Sequence, residues 1–397
     1  MIKILIKKFI PKFVLSWYHY SLAILAKWFY GNPSGKMIVV GVTGTAGKSS
    51  TSYFIAQILE NAGLKVGMTT TTLFKIADKE WLNNKKMTML GRFQTQKLLK
   101  QMLKAGCTVA IIETSSEGIK QYRHIGIDYN MLVLTNLYPE HIEAHGSFEN
   151  YKKTKGKLFK HLGKKTIIIN TDDKHADYFL NFPAKKKIKY NIKDWDNNWQ
   201  MNLLGEYNKY NVLAAMTVAK ELKIEPKIDN LKPLPGRLEF IENNLGINII
   251  VDYSFEPKAL EKLYQTIADI KYNKLIHVLG STGGGRDKAR RPILGKMANE
   301  KADIVIITNE DPYDEDPLSI MKAVAEGAAS AGKVMAKNLF IIEDRRQAIA
   351  RAAKQAQAND LVIITGKGCE QWLMTSKGKI PWDDRRVVEE EIRKILH

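Results

Sequence analysis

Gly41-Val-Thr-Gly-Thr-Ala-Gly-Lys-Ser-Ser-Thr51 decides how this chain of 397 residues folds. An apolar run at residues 37–40 precedes it and a helical stretch at 53–62 follows, so the glycines fall at a strand-to-helix turn. Glycines let consecutive backbone amides converge on phosphate oxygens, and the helix N-terminus adds positive potential there. Lys48 then reaches β- and γ-phosphates and Ser49 can ligate Mg²⁺, with Gly44, Thr45, Gly47 and Ser50 completing the expected site for ATP or a similar nucleotide. Val42 stands where the first glycine of a strict Walker A string would fall, flanked by Gly41 and Gly44.

Outward from this loop, short β-rich runs alternate with helical stretches, at 37–42, 108–113, 131–135 and 166–170. A second series follows Leu231-Lys232-Pro233-Leu234-Pro235-Gly236, at 247–252, 275–280, 304–308, 339–342 and 361–365. The alternation predicts an α/β fold with mostly parallel sheets, and the Pro/Gly segment is the expected boundary. We therefore expect an N-terminal helical segment (1–35), a P-loop-like ATP-binding domain (36–232) and a C-terminal Rossmann-like α/β domain (233–397). The basic run Lys185-Lys186-Lys187 reads as a solvated loop.

A net charge of +19 predicts attraction to anions. No recognition module or interleaved aromatic-basic motif accompanies it, so nucleic acid is not an expected partner. Cys107 and Cys369 are far apart and without metal-like spacing, which argues against a disulfide framework or a zinc site and for a reducing cytoplasm. The first thirty residues carry Lys3, Lys7, Lys8 and Lys12, then Phe13, Trp17, Tyr20, Ile24 and Trp28 at helical spacing. His19 and Lys27 interrupt the apolar run, which falls short of the roughly 20 residues a membrane span needs. One reading is an interfacial helix on the inner face of an anionic membrane; the other is a helix packed on the first domain or on a partner chain.

Glu113 ends a predicted strand at the sheet's C-terminal edge, where ligands of open α/β sheets gather, and His141 follows the next strand in the same way. A carboxylate, an imidazole and the Ser49 hydroxyl on one edge suit Mg²⁺ held between phosphate oxygens.

In this order the motifs resemble the Mur ligases, above all the UDP-N-acetylmuramoyl-tripeptide synthetase branch. They are the Gly-Lys-Ser loop, Glu113-Thr-Ser-Ser-Glu117, Thr135-Asn136 with His141 and His145-Gly146, Tyr151-Lys-Lys-Thr-Lys155, and Leu204-Gly205-Glu-Tyr-Asn208-Lys-Tyr-Asn211. Further on come Pro235-Gly236-Arg237-Leu-Glu239, Val251-Asp252-Tyr253, Gly283-Gly-Gly-Arg286-Asp287-Lys288, Asp311-Pro312, Asp344-Arg345, Gly366-Lys367-Gly368-Cys-Glu370 and Asp384-Arg385. The resemblance implies an ATP-dependent ligase of peptidoglycan biosynthesis that activates an acceptor carboxylate as an acyl phosphate and captures it with the amine of an amino acid. It implies that Lys48 and Ser49 hold phosphate and Mg²⁺, that Glu113 and His141 complete the metal shell, and that Lys155 is carbamylated to bridge a second Mg²⁺. Asn136 joins the nucleotide site, Asn208 and Asn211 sit by the adenine, and Arg237 and Asp252 reach phosphate and ribose. Arg286, Asp311 and Glu370 face the amine.

Members of that branch carry a further N-terminal domain that holds UDP, whereas about 35 residues precede the loop's strand here. The expectation is an acceptor other than the standard UDP-muramoyl dipeptide, a contact supplied by another chain, or a lipid-borne acceptor met through the basic apolar helix. In the diaminopimelate-adding branch the amine pocket resembles Asp-Asn-Pro-Arg; here Glu310-Asp311-Pro312-Tyr313 lacks the arginine clamp. With Asp314 and Glu370, that exchange favours a cationic side chain such as lysine or ornithine. Ala46, Glu117, Cys369 and Phe255 also depart from the family's usual Asn and His residues. Two rival readings remain: a Mur-like ligase for another product (poly-γ-glutamate, a cyanophycin-like polymer or a recycled muropeptide), and a non-catalytic ATP-binding module of a cell-wall complex.

Overall fold

The computed structural model describes residues 11–85, 87–140, 142–160, 165–285 and 288–396. Two compact units emerge, one through Lys232 and one from Pro233. In the first, the order is α1 (Lys12–Phe29), β1 (Ile38–Thr43), α2 (Lys48–Asn61), β2 (Val66–Thr69), β3 (Leu73–Ile76), β4 (Lys79–Leu82), α3 (Arg92–Lys104) and β5 (Val109–Glu113). There follow α4 (Ser116–Lys120), β6 (Met131–Leu134), α5 (Ile142–His145), α6 (Phe148–Lys160), β7 (Thr166–Asn170), α7 (Ala176–Leu180), β8 (Lys186–Tyr190) and α8 (Glu206–Glu221).

The strands form one sheet in the order β4-β3-β2-β5-β1-β6-β7-β8, parallel from β2 to β8, with β3 and β4 appended antiparallel. Strands β5, β6 and β7 are buried along their whole length, which is why they read as continuous apolar runs rather than alternating ones. Lys186 and Lys187, expected in a loop, instead lie in β8, where exposed lysines protect the edge of the sheet from further pairing. Because β1 has β5 on one side and β6 on the other, the loop after β1 opens at a topological switch point. Register places Val42 opposite Glu113 and Thr43 opposite Leu134, so the ends of three strands face that loop.

The second unit runs β9 (Glu239–Phe240), β10 (Asn248–Asp252), α9 (Pro257–Ile267), β11 (Leu275–Leu279), α10 (Arg290–Lys301), β12 (Ile304–Thr308) and α11 (Pro317–Ser330). It continues β13 (Leu339–Ile342), α12 (Arg345–Gln355), β14 (Leu361–Thr365), the hairpin β15 (Trp372–Thr375) and β16 (Gly378–Pro381), and α13 (Asp384–Leu396). Its main sheet, β13-β12-β11-β14-β10-β9, is parallel except for the short edge strand β9. Val251, Ile276, Val278, Ile306, Ile349, Val362, Ile364 and Val388 pack into one apolar cluster of its core.

Candidate active site

The loop after β1 is built around two glycines that no other residue could replace without movement. Gly44 has φ +149°, and a Cβ there would lie 1.9 Å from Thr135 Oγ1; Gly47 has φ +78°, and its Cβ would lie 2.4 Å from Asn211 Oδ1. Asn136 braces the turn, accepting the Ala46 N–H at 2.9 Å and donating to the Ala46 carbonyl at 3.2 Å. The Thr45 N–H donates to the Asn136 carbonyl, and the Thr45 hydroxyl meets the Tyr151 hydroxyl at 3.1 Å. Lys48 opens α2 and lies across the loop, donating to the Thr45 carbonyl at 2.8 Å. Ser50, in the first turn of the same helix, is half-buried.

Ser49 and Glu113 meet as the strand register requires. The Ser49 hydroxyl donates to Glu113 Oε2 at 2.7 Å, and the carboxylate is buried at the end of β5. Thr71 supplies two further donors to it, the backbone N–H at 2.8 Å and the hydroxyl at 3.0 Å, and itself meets Thr88 at 2.8 Å. Thr71 was not among the expected site residues; its only trace in the sequence is the run of four threonines from Thr69 to Thr72.

Lys155, on α6, is 1% exposed and donates from Nζ to the Gly44 carbonyl at 2.6 Å. Its Nζ lies 4.8 Å from the Tyr151 ring centroid. Burial, helped by the nearby Lys48 charge and opposed by Glu140 and Glu113, holds its pKa well below the ordinary lysine value. His145 at the end of α5 approaches the same edge, with Nε2 at 3.1 Å from the Ser116 hydroxyl and 3.7 Å from Glu117. Glu117 thus occupies, with its charge, a place where the resemblance led us to expect a histidine. His141 falls outside the described residues. Asn208 and Asn211 lie on α8, which packs on α2; Asn211 accepts the Thr51 hydroxyl at 3.1 Å, and Asn208 donates to the Leu204 carbonyl.

In the second unit, Arg237 stacks its guanidinium 4.5 Å from the Tyr253 ring centroid. Asp252 is fully engaged by backbone and hydroxyl donors: Leu238 N–H at 2.7 Å on one oxygen, and the Ser254 N–H at 2.7 Å and Ser254 hydroxyl on the other. Its carboxylate therefore shapes the turn that presents Arg237.

A second cluster gathers where β11, β12 and β14 end. The buried Lys367 ammonium pairs with Asp311 at 2.8 Å and with Glu370, whose other oxygen accepts the Tyr253 hydroxyl at 3.2 Å. Glu310, 4% exposed, takes the Thr282 hydroxyl on Oε1 at 3.1 Å, while Oε2 has no hydrogen-bond partner among the described residues. Burial raises its pKa, against the pull of Arg345, Lys367 and Arg290. The sequence displayed Glu310 in the motif but did not mark it as a site residue. Arg286 falls outside the described residues. Beneath this cluster Arg345 forms a buried two-pronged pair with Asp384 of α13, at 2.6 and 2.8 Å, and donates to the Thr365 carbonyl.

A glycine-rich loop with Lys and Ser at the switch point of a parallel sheet defines a nucleotide-phosphate site. Comparison with known proteins gives the family. Residues 42–200 match the Mur ligase middle domain and residues 236–368 the Mur ligase glutamate ligase domain. The UDP-N-acetylmuramoyl-L-alanyl-D-glutamate–2,6-diaminopimelate ligase of Clostridium tetani is 33% identical, over 94% of this chain and 81% of its own length. A solved structure of an enzyme of that name is 30% identical with a TM-score of 0.62, over 91% of this chain and 79% of the other. The fold alone is shared with the MurF ligase from Thermotoga maritima in complex with ADP, at 20% identity and a TM-score of 0.64, over 94% of this chain and 84% of that one. The chain belongs to the Mur ligase family.

Proposed function

We propose that this ligase joins the carboxylate of a peptidoglycan-precursor-like acceptor to the amine of an amino acid with a cationic side chain, by way of an acyl phosphate. The observation that carries the chemistry is the buried contact of Ser49 with Glu113 beside the Gly44–Lys48 loop. Two hard oxygens 2.7 Å apart at a phosphate loop suit Mg²⁺, which when bound would neutralise charge on the transferring phosphoryl group. Lys155 is the candidate for a further ligand: burial disfavours its charged form, and a neutral amine can add CO₂, lose a proton and become a carbamate with two ligating oxygens.

The loop amides and Lys48 hold and orient the phosphates. An acceptor carboxylate oxygen attacks the γ-phosphorus as the bond to ADP breaks. The neutral amine then attacks the acyl carbon, inorganic phosphate leaves, and the amine proton is lost to solvent or base. Recognition of the amine falls to the cluster in the second unit. The Glu310 oxygen without a partner among the described residues supports an ammonium as its counterpart, and Tyr313 stands where diaminopimelate-adding relatives carry the clamping arginine of the resemblance.

Phosphate release with Mg-ATP, across amino acids and muropeptide acceptors with and without UDP, tests this reading, using Lys48→Ala as the blank. Release that depends on both lysine or ornithine and an acceptor is the expected result. Diaminopimelate as the best donor would overturn the amine assignment, polymeric addition would overturn the single-addition product, and ATP binding without release on any acceptor would overturn the ligase reading.

A further inference from the structure

We infer that α1 is a docking surface for an anionic phospholipid membrane, on which the enzyme lies without crossing it. Helix α1 has two faces of unequal fate. Ala23 and Ala26 are buried, Lys27 pairs with Asp128 at 2.8 Å, and Gly126 comes so close that a Cβ there would stand 2.9 Å from the Ala23 carbonyl. This inner face fastens the helix to the first unit, as one of the two readings of the sequence expected. The outward side carries Trp17, Tyr18, Tyr20, Ile24, Trp28 and Phe29, all exposed, with Trp17 at 75% and Trp28 at 81%. Their spacing of three and four residues makes one continuous apolar stripe. Trp17, Tyr20, Ile24 and Trp28, which the helical spacing had suggested, all lie on this outward side, and the Lys27–Asp128 pair helps fasten the inner one.

The stripe does not stop at the helix end. Phe93 of α3 meets the Phe29 ring at 6.2 Å and the Tyr30 ring at 6.4 Å, and is itself exposed. One and three turns further along the same face of α3 stand Lys97 and Lys104, both exposed. An aromatic patch is thus edged by ammonium groups. Neither α1 nor α3 contains an acidic residue, and the chain carries no Asp or Glu before Glu60, while Lys3, Lys7, Lys8 and Lys12 stand ahead of Trp17 in the sequence.

Charge decides the occupant. A second copy of this chain, with a net charge of +19, would set lysine against lysine around a shared stripe. An anionic lipid surface instead accepts the indole and phenyl rings at headgroup level and the lysines at its phosphates. Among the described residues no helix is long and apolar enough to cross a membrane, which leaves the in-plane pose.

Co-sedimentation of the full chain with vesicles tests the inference, comparing phosphatidylcholine alone with a mixture containing phosphatidylglycerol. We expect binding at least about tenfold stronger to the anionic vesicles, and weakened by salt. The double variant Trp17→Ser/Trp28→Ser should lose about tenfold or more of that binding, and Lys97→Gln/Lys104→Gln should weaken it on anionic vesicles only. Both variants should keep wild-type circular dichroism and nucleotide binding, so that misfolding is distinguished from loss of docking. Equal binding to both vesicle types, unchanged binding by the tryptophan variant, or self-association abolished by that variant without vesicle binding would each overturn the assignment.

Discussion

Lys155 and Glu310 show how much a single buried side chain can decide. For Lys155 the native pKa is depressed while the unfolded chain keeps the ordinary value of about 10.4. Between those two values the unfolded state holds a proton that the native state lacks, so stability rises with pH across that window. Lys155→Met should remove that part of the slope, read as the difference between wild-type and variant denaturation midpoints at neutral and alkaline pH. Identical slopes would mean that the lysine is not held neutral. Glu310→Gln should raise KM for the amino acid by about tenfold or more while leaving KM for ATP unchanged, because an amide cannot pair with an ammonium as a carboxylate does. A parallel loss in every kinetic constant would point instead to a packing role. Both residues were visible as letters in ordered motifs, but their burial was not; that depends on α6 and β12 delivering them beneath the loops.

At the scale of elements, the phosphate loop was legible because β1, the glycines, Lys48 and α2 are contiguous. The β3–β4 hairpin was not: its strands are short, and β4 is a polar, exposed run without apolar periodicity. The turn from β2 into β3 nevertheless supplies Thr71 to Glu113, so an unread connection holds the read residue in place. The turn at Gly44 yields a strong expectation. Gly44→Ala should destabilise the first unit by about 1–3 kcal/mol in thermal unfolding and abolish nucleotide binding, since both the positive φ and the Thr135 contact forbid a methyl group. In the second unit, His277 on β11 is buried between the Tyr264 hydroxyl at 2.7 Å and the Thr365 hydroxyl at 2.9 Å, and burial followed by the Arg345 charge lowers its pKa to about 3. The unfolded chain takes up this proton near pH 6.5, so the contribution is complete above that pH. It is lost as pH falls towards 3, at about 1.4 kcal/mol per unit. His277→Gln should flatten that acid limb in urea titrations.

For the whole molecule, periodicity and the Pro/Gly segment announced two α/β units. Helical spacing gave the outward side of α1 through Trp17, Tyr20, Ile24 and Trp28, but not its fastening, because Lys27 pairs with Asp128 some hundred residues away. The cluster proposed to receive the amine was only half legible: Asp311, Lys367 and Glu370 meet through the β11-β12-β14 neighbourhood, which chain order does not reveal.

The joint between Arg345 and Asp384 makes the last helix a keystone for residues far earlier in the chain. Arg345 grips Asp384, the Asn309 carbonyl and the Thr365 carbonyl at once, so the tail of the polypeptide steadies the strand ends that carry Glu310 and Lys367. A chain shortened to end before Asp384 would strand a guanidinium in the interior, at a cost of about 3–5 kcal/mol. It should lose amine-dependent phosphate release while retaining ATP binding in the first unit, as equilibrium nucleotide binding alongside turnover would reveal. The proposed selectivity for the incoming amino acid is thereby hostage to whatever happens at Asp384.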